Sequence, residues 1–203
     1  VTCYHVLTGK LLWTHTCAVR FYQWQGGEGP RATPTVDRGQ VFTYGATGIL
    51  ECIDAATGQR VWQHDVLKEN KLDNLEWGLS ASPLVFDETV VVTGGNTPGP
   101  TLLAFRRSTG EPLWRSGTDR ASYSSPVLAT LAGRRVVLTL NEASLTAHDP
   151  STGERLLNHP WAERIPKAAQ PVVVAGDRVL LSAGYGQGCL LLEIKASAGH
   201  QLT

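Results

Sequence analysis

The sequence lacks several features that point to common classes of function. It contains no methionine, and its 18 basic and 18 acidic residues leave a formal net charge of zero. Balanced charge provides no broad basic surface, so we expect no nucleic-acid partner. No apolar run reaches the length of about 20 residues that crosses a membrane as a helix. The four cysteines include no CxxC pair, so their spacing suggests no zinc site, although it leaves a disulfide open.

Long helical periodicity is also absent. Short runs rich in Val, Leu and Thr dominate instead, and 21 glycines and 11 prolines interrupt them. This composition predicts an all-β protein. Because Val1 already lies inside a repeated strand, we expect the chain to be a mature or excised piece of a longer protein, with any targeting segment removed.

One motif occurs five times, each time as a short apolar run, a turn and a second run. Its copies cover residues 1–13, 50–62, 102–114, 145–157 and 190–203. Counted on the Thr of each Thr-Gly turn, or on Ala198 in the last copy, successive copies are 49, 52, 43 and 46 residues apart. A period in this range is typical of a propeller or a solenoid.

Each copy of the motif predicts a β-hairpin. The glycine of the turn supplies the positive φ angle that other residues resist. A tryptophan follows the Thr by five residues in the first three copies, at Trp13, Trp62 and Trp114. Because side chains alternate along a strand, this tryptophan has the same place in every hairpin. We expect it to pack between neighbouring repeats of the array.

A second unit lies between the hairpins and is marked by a proline. The four prolines are Pro34, Pro83, Pro126 and Pro171, and each is followed by a polar turn and another β-run. Proline is tolerated in a sheet at edges and strand starts, and the innermost strand of a propeller blade is such an edge. Each period therefore holds four short antiparallel strands, and the sequence predicts a β-propeller.

The predicted blades divide the chain into five parts. Residues 1–16 end one blade, residues 20–64, 75–116 and 120–159 form three complete blades, and residues 165–203 form most of a fifth. Closed propellers typically have about four to eight blades. Because the third strand of the blade occurs at both ends of the chain, we favour part of a seven- or eight-bladed ring over closure with four or five blades.

Loop lengths predict where a partner binds. The connections on one side of the predicted ring are short and alike, whereas those on the other side vary and include two long segments, 21–31 and 65–78. Binding residues concentrate on variable loops held by a rigid scaffold. The residues predicted to contact a protein partner are Trp24, Glu28, Arg31 and Trp77.

The segment 68–77 within the second long connection has two interpretations. It has the composition of a short helix, but we favour a solvated loop. In that interpretation, Leu72 and Leu75 provide further contacts to the partner.

A polar residue precedes each of the four prolines. These residues are Thr33, Ser82, Ser125 and Gln170. On innermost strands they would form a ring facing the central channel. We interpret them as groups that satisfy the backbone near the axis, with a small-molecule or ion pocket as the alternative.

No arrangement of histidine or acidic residues predicts a catalytic or metal site. His15, His64 and His159 fall on the outer strands of separate blades, whereas metal ligands must converge on one point. Asp54 and Asp149 precede their Thr by three residues, where an aspartate caps the turn. We therefore predict no catalytic, cofactor-binding or metal-binding residue.

The pattern Ala-x-Asp-x-x-Thr-Gly-x-x-x-Trp is almost intact at residues 52–62. It resembles the tryptophan-docking repeat of the pyrroloquinoline-quinone (PQQ) propeller superfamily, and the resemblance covers essentially the whole chain. That superfamily includes quinoprotein dehydrogenases as well as catalytically inert propellers of the BamB type. The repeats here are most similar to those of BamB-like bacterial proteins.

The resemblance implies a non-catalytic scaffold that binds a protein partner in the periplasm or elsewhere in the cell envelope. The alternative is a fragment of a PQQ- and calcium-dependent dehydrogenase. Such enzymes hold PQQ between a tryptophan and a disulfide of adjacent cysteines, with calcium and a catalytic aspartate beside it. This sequence has no adjacent cysteine pair, and none of its acidic residues matches that constellation. The resemblance therefore favours a scaffold that needs neither PQQ nor calcium.

Overall fold

The computed structural model describes residues 1–161, 165–197 and 201–203. Within them, nineteen strands and one short helix follow each other along the chain. Ala198, which stands at the Thr position of the fifth motif, lies outside the described residues. The prediction of an all-β protein is confirmed.

The strands of the first half are β1 (Thr2–Tyr4), β2 (Leu11–Thr14), β3 (Tyr22–Gln23), β4 (Gly27–Glu28), β5 (Thr35–Asp37), β6 (Gln40–Tyr44), β7 (Ile49–Asp54), β8 (Arg60–Asp65), β9 (Leu84–Phe86) and β10 (Thr89–Thr93). Helix α1 (Val66–Asn70) follows β8. The later strands are β11 (Leu102–Arg106), β12 (Pro112–Ser116), β13 (Val127–Leu131), β14 (Arg134–Leu140), β15 (Ser144–His148), β16 (Arg155–Pro160), β17 (Val172–Val174), β18 (Arg178–Ala183) and β19 (Gly188–Glu193).

Consecutive strands pair antiparallel in simple up-and-down order. Three sheets have four strands each, β5 to β8, β9 to β12 and β13 to β16. Strands β1 and β2 pair with each other, as do β3 and β4, and β17 to β19 form a three-stranded sheet. The three four-stranded sheets are the antiparallel blades of a propeller, as the repeat predicted. The blade boundaries drawn from the sequence stay a prediction.

The register of the hairpins places a small residue, Cys52 or Ala104, opposite the motif tryptophan. Trp62 lies directly opposite Cys52, and Trp114 lies directly opposite Ala104. The register shifts by one residue immediately beyond each pair, which is where the Thr-Gly turn begins. A larger side chain at the opposite position would compete with the indole for space.

Aspartate and threonine together close the turn of the second blade. Oδ1 of Asp54 accepts hydrogen bonds from the backbone N–H of Ala56 at 3.1 Å and of Thr57 at 2.8 Å. The Thr57 hydroxyl also donates to Oδ1 at 2.7 Å. These bonds hold the pKa of Asp54 below its usual value. Asp149 makes the same set of bonds in the fourth blade, so its predicted role as a turn cap is confirmed.

Each motif tryptophan docks on the turn of the following blade. Its indole Nε1 donates to a backbone carbonyl there: Trp13 to Ala55 at 2.9 Å, Trp62 to Arg107 at 2.9 Å and Trp114 to Pro150 at 3.1 Å. The ring also covers the turn glycine. A Cβ on Gly110, whose φ is +78°, would lie 2.9 Å from the Trp62 ring. The glycine is therefore required both for its backbone angle and for the close approach of the indole.

Apolar clusters fill the spaces between neighbouring blades. One cluster joins the second and third blades, with Phe42, Leu50 and Trp62 on one side and Leu103 and Phe105 on the other. Similar clusters join the third blade to the fourth and the fourth to β17–β19. All four cysteines are free thiols, and Cys52 is fully buried in the first of these clusters.

The interpretation of residues 68–77 as a solvated loop was wrong in part. Leu72 and Leu75 are buried in the cluster between the second and third blades, so neither is available to a partner. Helix α1 begins at a cap in which Asp65 accepts from the Lys68 N–H at 3.1 Å, and it ends at Lys71, whose φ is +55°. This short helical turn directs the following chain back onto the core instead of into solvent.

We expect substitution of Trp62 to separate its two contributions to stability. Trp62→Phe removes the hydrogen bond to the Arg107 carbonyl and part of the buried ring system, and it should lower the free energy of unfolding by about 1–3 kcal/mol. Trp62→Ala also leaves a cavity between two blades and should lower it by about 3–5 kcal/mol. Urea denaturation measures both. The exposed Trp24 provides the control, and an equal loss for Trp24→Ala would contradict the docking role.

Candidate functional site

The variable loops gather on one face of the molecule, as their lengths predicted. The loops β6–β7 and β10–β11 contact the connections that follow β8 and β12: Leu79 donates its N–H to the Ala46 carbonyl at 3.0 Å, and Ala121 donates its N–H to the Gly95 carbonyl at 3.0 Å. The tight turns pair with each other elsewhere, for example through Ala55 and Gly39 at 2.9 Å. We call the first of these surfaces the variable-loop face.

A small hairpin projects from this face. It consists of β3 and β4 with the turn residues Trp24, Gln25 and Gly26 between them. The side chain of Gln23 is buried, and its Oε1 accepts hydrogen bonds from the N–H groups of Gln25 at 2.8 Å and Gly26 at 2.7 Å. Gln23 therefore stabilises the turn through these two hydrogen bonds.

Arg31 fastens the hairpin to the next blade. Its Nε donates to the Trp77 carbonyl at 2.5 Å, and its two terminal nitrogens donate to the carbonyls of Gly29 and Gly27 at 3.3 Å each. The guanidinium also lies 5.0 Å from the centroid of the Phe21 ring. Through these contacts, Arg31 links the hairpin to the connection that holds Trp77 and stabilises both.

Trp77 links the hairpin to a third segment. Its indole Nε1 donates to Gln25 Oε1 at 3.1 Å, and its ring centroid lies 5.6 Å from that of Tyr123. The backbone N–H of Trp77 also contacts the Tyr123 hydroxyl at 3.4 Å. Burial, as the largest cause, raises the pKa of Tyr123, so this hydroxyl stays neutral at physiological pH. Three connections of the variable-loop face thus form one braced unit.

The other two predicted contact residues point to solvent. Trp24 exposes 76% of its surface at the tip of the hairpin, and Tyr22 exposes 66% on the same hairpin. Glu28 is also exposed and pairs with Arg20. An exposed indole on a braced hairpin is an arrangement suited to contact with another macromolecule, because little conformational freedom is lost on binding.

The polar residues before the prolines lie between neighbouring blades. The N–H of Thr33 donates to the Ser82 hydroxyl at 3.1 Å, and the N–H of Ser82 donates to the Ser125 hydroxyl at 2.8 Å. These serines therefore satisfy backbone donors from one innermost strand to the next. Gln170 is exposed just before β17.

His64 and His148 each contact a neighbouring blade. His64 Nδ1 lies 2.8 Å from Glu69 Oε2, and its Nε2 lies 2.7 Å from the Gly110 carbonyl of the next blade. His148, absent from our predicted contacts, is fully buried, with Nε2 2.9 Å from the Thr146 hydroxyl and Nδ1 3.2 Å from the Gly153 carbonyl. Its burial lowers its pKa, and Arg155 adds to that effect, whereas the bond to Gly153 opposes it.

The described part of the chain contains no cluster of side chains suited to bind a metal ion. Across residues 1–161, 165–197 and 201–203, no three His, Cys, Asp or Glu side chains come together in a way that could hold a metal ion. In the same residues, no helix has the length and apolar character needed to span a bilayer.

Sequence reasoning missed one buried acid. Glu51 is only 3% exposed and lies 3.2 Å from His15 Nε2 across the interface between the first hairpin and the second blade. Its signal in the sequence is a break in the repeat, because the positions six residues before the other Thr residues hold Thr2, Leu103 and Thr146.

Comparison with known proteins identifies the relatives of this fold. The family model described as "Outer membrane protein assembly factor BamB" matches residues 1–202. The BamB of Xanthomonas campestris pv. campestris is 29% identical over 103 residues, which are 50% of this chain and 25% of that protein. The chain thus spans only part of the length of the curated relatives that it matches.

Solved structures give the same fold. BamB from Moraxella catarrhalis superposes with a TM-score of 0.63 at 20% identity, over 93% of this chain and 56% of that one. The quinohemoprotein alcohol dehydrogenase of Comamonas testosteroni has a TM-score of 0.63 at 17% identity, over 93% of this chain and 36% of that one. At these identities the likeness concerns the propeller fold alone.

We expect loss of the Arg31 brace to loosen the hairpin. Arg31→Gln removes a charged donor to the Trp77 carbonyl, an interaction worth about 1.5–3 kcal/mol. Hydrogen exchange of the Gln25 and Gly26 amides should become about tenfold to a hundredfold faster. Arg20→Gln, which alters an exposed ion pair on the same hairpin, serves as the control. Equal exchange rates in the two variants would contradict the bracing role.

His148 should make stability depend on pH. Its folded pKa lies below the unfolded value of about 6.5, so the unfolded state binds a proton first as the pH falls. The free energy of unfolding should therefore decrease below about pH 6.5, by up to about 1.4 kcal/mol per pH unit. Denaturation from pH 7.5 to 5 should show a shallower slope for His148→Gln, and an unchanged slope for the exposed His5→Gln. If the free energy of unfolding of His148→Gln fell with pH as steeply as that of the wild-type protein, the result would contradict this account.

Proposed function

The chain belongs to the family of the outer membrane protein assembly factor BamB, and we propose that it is a non-catalytic scaffold of the bacterial envelope. In this proposal, its variable-loop face binds a protein partner during outer membrane protein assembly. The periplasm, or the membrane surface facing it, is the corresponding location. The ring to which these blades belong has seven or eight blades in total.

The braced hairpin at Trp24 carries the proposal. Exposed tryptophan is the residue type most enriched at the energetic centre of protein interfaces. Trp24 is 76% exposed, yet Gln23 and Arg31 fix the backbone beneath it. Fixing a loop before association reduces the entropy lost on binding. Trp24, Tyr22 and Glu28 therefore provide the contact surface, with Arg31 and Trp77 as positioning residues.

The donor groups in the described residues give no support to the alternative, a fragment of a PQQ-dependent dehydrogenase. Calcium binds through several oxygen ligands that include carboxylates, whereas the residues before the prolines are Thr33, Ser82, Ser125 and Gln170. The described residues also contain no acidic cluster with the geometry of a metal site. We therefore propose no redox step and no cofactor for this chain.

Site-specific photocrosslinking in the native host tests the partner surface. A photoreactive phenylalanine at position 24 of the full-length protein should form a discrete crosslink to a protein of the outer membrane assembly pathway. Leu7 is the matched control, because it is 87% exposed and lies in a tight turn away from the variable-loop face. Position 7 should give no such product.

Complementation supplies the functional readout. In a strain that lacks the gene, Trp24→Ala together with Tyr22→Ala should weaken partner binding about thirtyfold, which corresponds to a loss of about 2 kcal/mol. Outer membrane protein levels should then fall toward those of the deletion strain, whereas Leu7→Ala should restore them. Full rescue by the double variant, or the same crosslink from position 7, would overturn the proposal.

A further inference from the structure

The third and fourth blades meet partly through polar residues, whereas the interfaces on either side of them are filled by apolar clusters. Leu103 and Phe105 flank the small residue of the hairpin motif in the third blade and pack against the second blade. The residues that flank the corresponding alanine of the fourth blade are Thr146 and His148, which are 2% and 0% exposed. Both blades have all four strands, so this polar character belongs to the propeller itself.

Three buried oxygens without partners add to the cost of this interface. They are the hydroxyls of Thr93 and Thr139 and Oδ1 of Asn141, and none has a hydrogen-bond partner in the described residues. Thr93 follows Val91, which packs against the fourth blade, by two residues. Thr139 pairs with Thr146 on the face of the fourth blade that meets the third. Such groups cost free energy while they are buried, so we expect this interface to open more readily than its neighbours.

The ring of His148 bridges the two blades in one defined tautomer. Its Nδ1 lies 3.2 Å from the Gly153 carbonyl, which can only accept, so Nδ1 carries the hydrogen of the neutral ring. Nε2 therefore accepts from the Thr146 hydroxyl at 2.9 Å. Nδ1 also lies 2.9 Å from the hydroxyl of Ser116, which belongs to the third blade.

A chain of hydrogen bonds leads from His148 to the variable-loop face. Asn141 Nδ2 donates to Thr146 Oγ1 at 3.1 Å and to the Ser144 hydroxyl at 3.3 Å. Ser144 in turn donates to Asp119 Oδ2 at 2.8 Å. Asp119 lies in the connection after β12, on the variable-loop face. The buried imidazole is therefore connected to the loops of that face.

The charged groups around His148 do not favour its protonation. Arg155 lies directly opposite on β16, and its positive charge adds to the effect of burial, which lowers the pKa of His148. The Asp149 carboxylate accepts from the N–H groups of its own turn. Asp119 is separated from the imidazole by the side chains of the hydrogen-bond chain. The facing residues of β12 and β14 are uncharged, namely Ser116 and Val137.

Protonation of the ring in its buried position would disrupt these contacts. Nε2 would become a donor, so the Thr146 hydroxyl would lose the acceptor for its own hydrogen. The imidazolium would also lack a paired carboxylate in a buried site. Water satisfies both groups once the interface is open, so proton uptake and opening favour each other.

We propose that the interface between the third and fourth blades is an acid-sensitive joint, which opens on its variable-loop side as His148 takes up a proton. The opening is local and precedes the unfolding of the remaining blades. It changes the relative positions of the connection that holds Asp119 and the β14–β15 turn. The proposal does not depend on a partner of the variable-loop face.

Hydrogen exchange of the full-length protein between pH 7.5 and 5 tests this joint. The amides of Glu142 and Ala143 donate across it. Their protection, corrected for the intrinsic effect of pH on exchange, should fall by up to about tenfold per pH unit below about pH 6.5. The Asn96 amide donates to the Asp73 carbonyl across the interface between the second and third blades, so it is the reference and should keep its protection.

Substitutions separate the role of the imidazole from that of the fold. His148→Gln keeps a polar side chain that does not titrate, so the pH dependence at Glu142 and Ala143 should disappear. Thr146→Leu combined with His148→Phe copies the apolar residues of the third blade, and it should raise the protection of both amides across the pH range. His5→Gln, which alters an exposed histidine, is the control and should behave as the wild-type protein.

The outcomes decide the proposal. Loss of protection at Glu142 and Ala143 in the wild-type protein, but not in His148→Gln, supports it. An equal loss in His148→Gln would overturn it. An equal loss at Asn96 would also overturn it, because the whole fold would then be opening. Unchanged protection of the wild-type protein down to pH 5 would have the same consequence.

Discussion

The contact between each motif tryptophan and the turn of the following blade is the interaction on which the rest of the structure depends. Trp13, Trp62 and Trp114 each donate to a carbonyl in that turn and cover its glycine. A single four-stranded sheet cannot bury both of its faces, so the blades are stable only when stacked. The indole contributes buried area and one directional bond at each of these three interfaces, which fixes how the neighbouring blades meet.

Because the stacking of the blades is fixed by these contacts, the loops on one face can differ from blade to blade. The tight turns repeat from blade to blade, whereas the opposite connections contain a hairpin in one blade and a helix in the next. Arg31 and Trp77 join these two connections, so the variable-loop face is a continuous surface. Trp24 then projects from a rigid base, as its proposed role in recognition requires.

The sequence predicted those features of the fold that are local or periodic. The spacing of Trp62 and Gly58 follows from one hairpin, and its repetition predicted the blades. The contacts of Arg31 could not be predicted, because its partner Trp77 is 46 residues away and the two loops have no repeat to align them. Leu72 and Leu75 were misjudged for a related reason, since a helical turn of five residues redirects them into the core. Glu51 breaks the pattern of the repeat, but its burial and its contact with His15 depend on how two blades meet, which the repeat does not give.

Titration of the full-length protein with PQQ, with and without calcium, tests the central claim of a non-catalytic scaffold most directly. Tryptophan fluorescence reports binding, and a dye-linked dehydrogenase assay on the same samples reports turnover. The account predicts no saturable quenching at concentrations well above those that fill quinoprotein dehydrogenases, and no dye reduction. Calcium-dependent, saturable quenching accompanied by dye reduction would contradict it and would require a catalytic acid that this account does not assign.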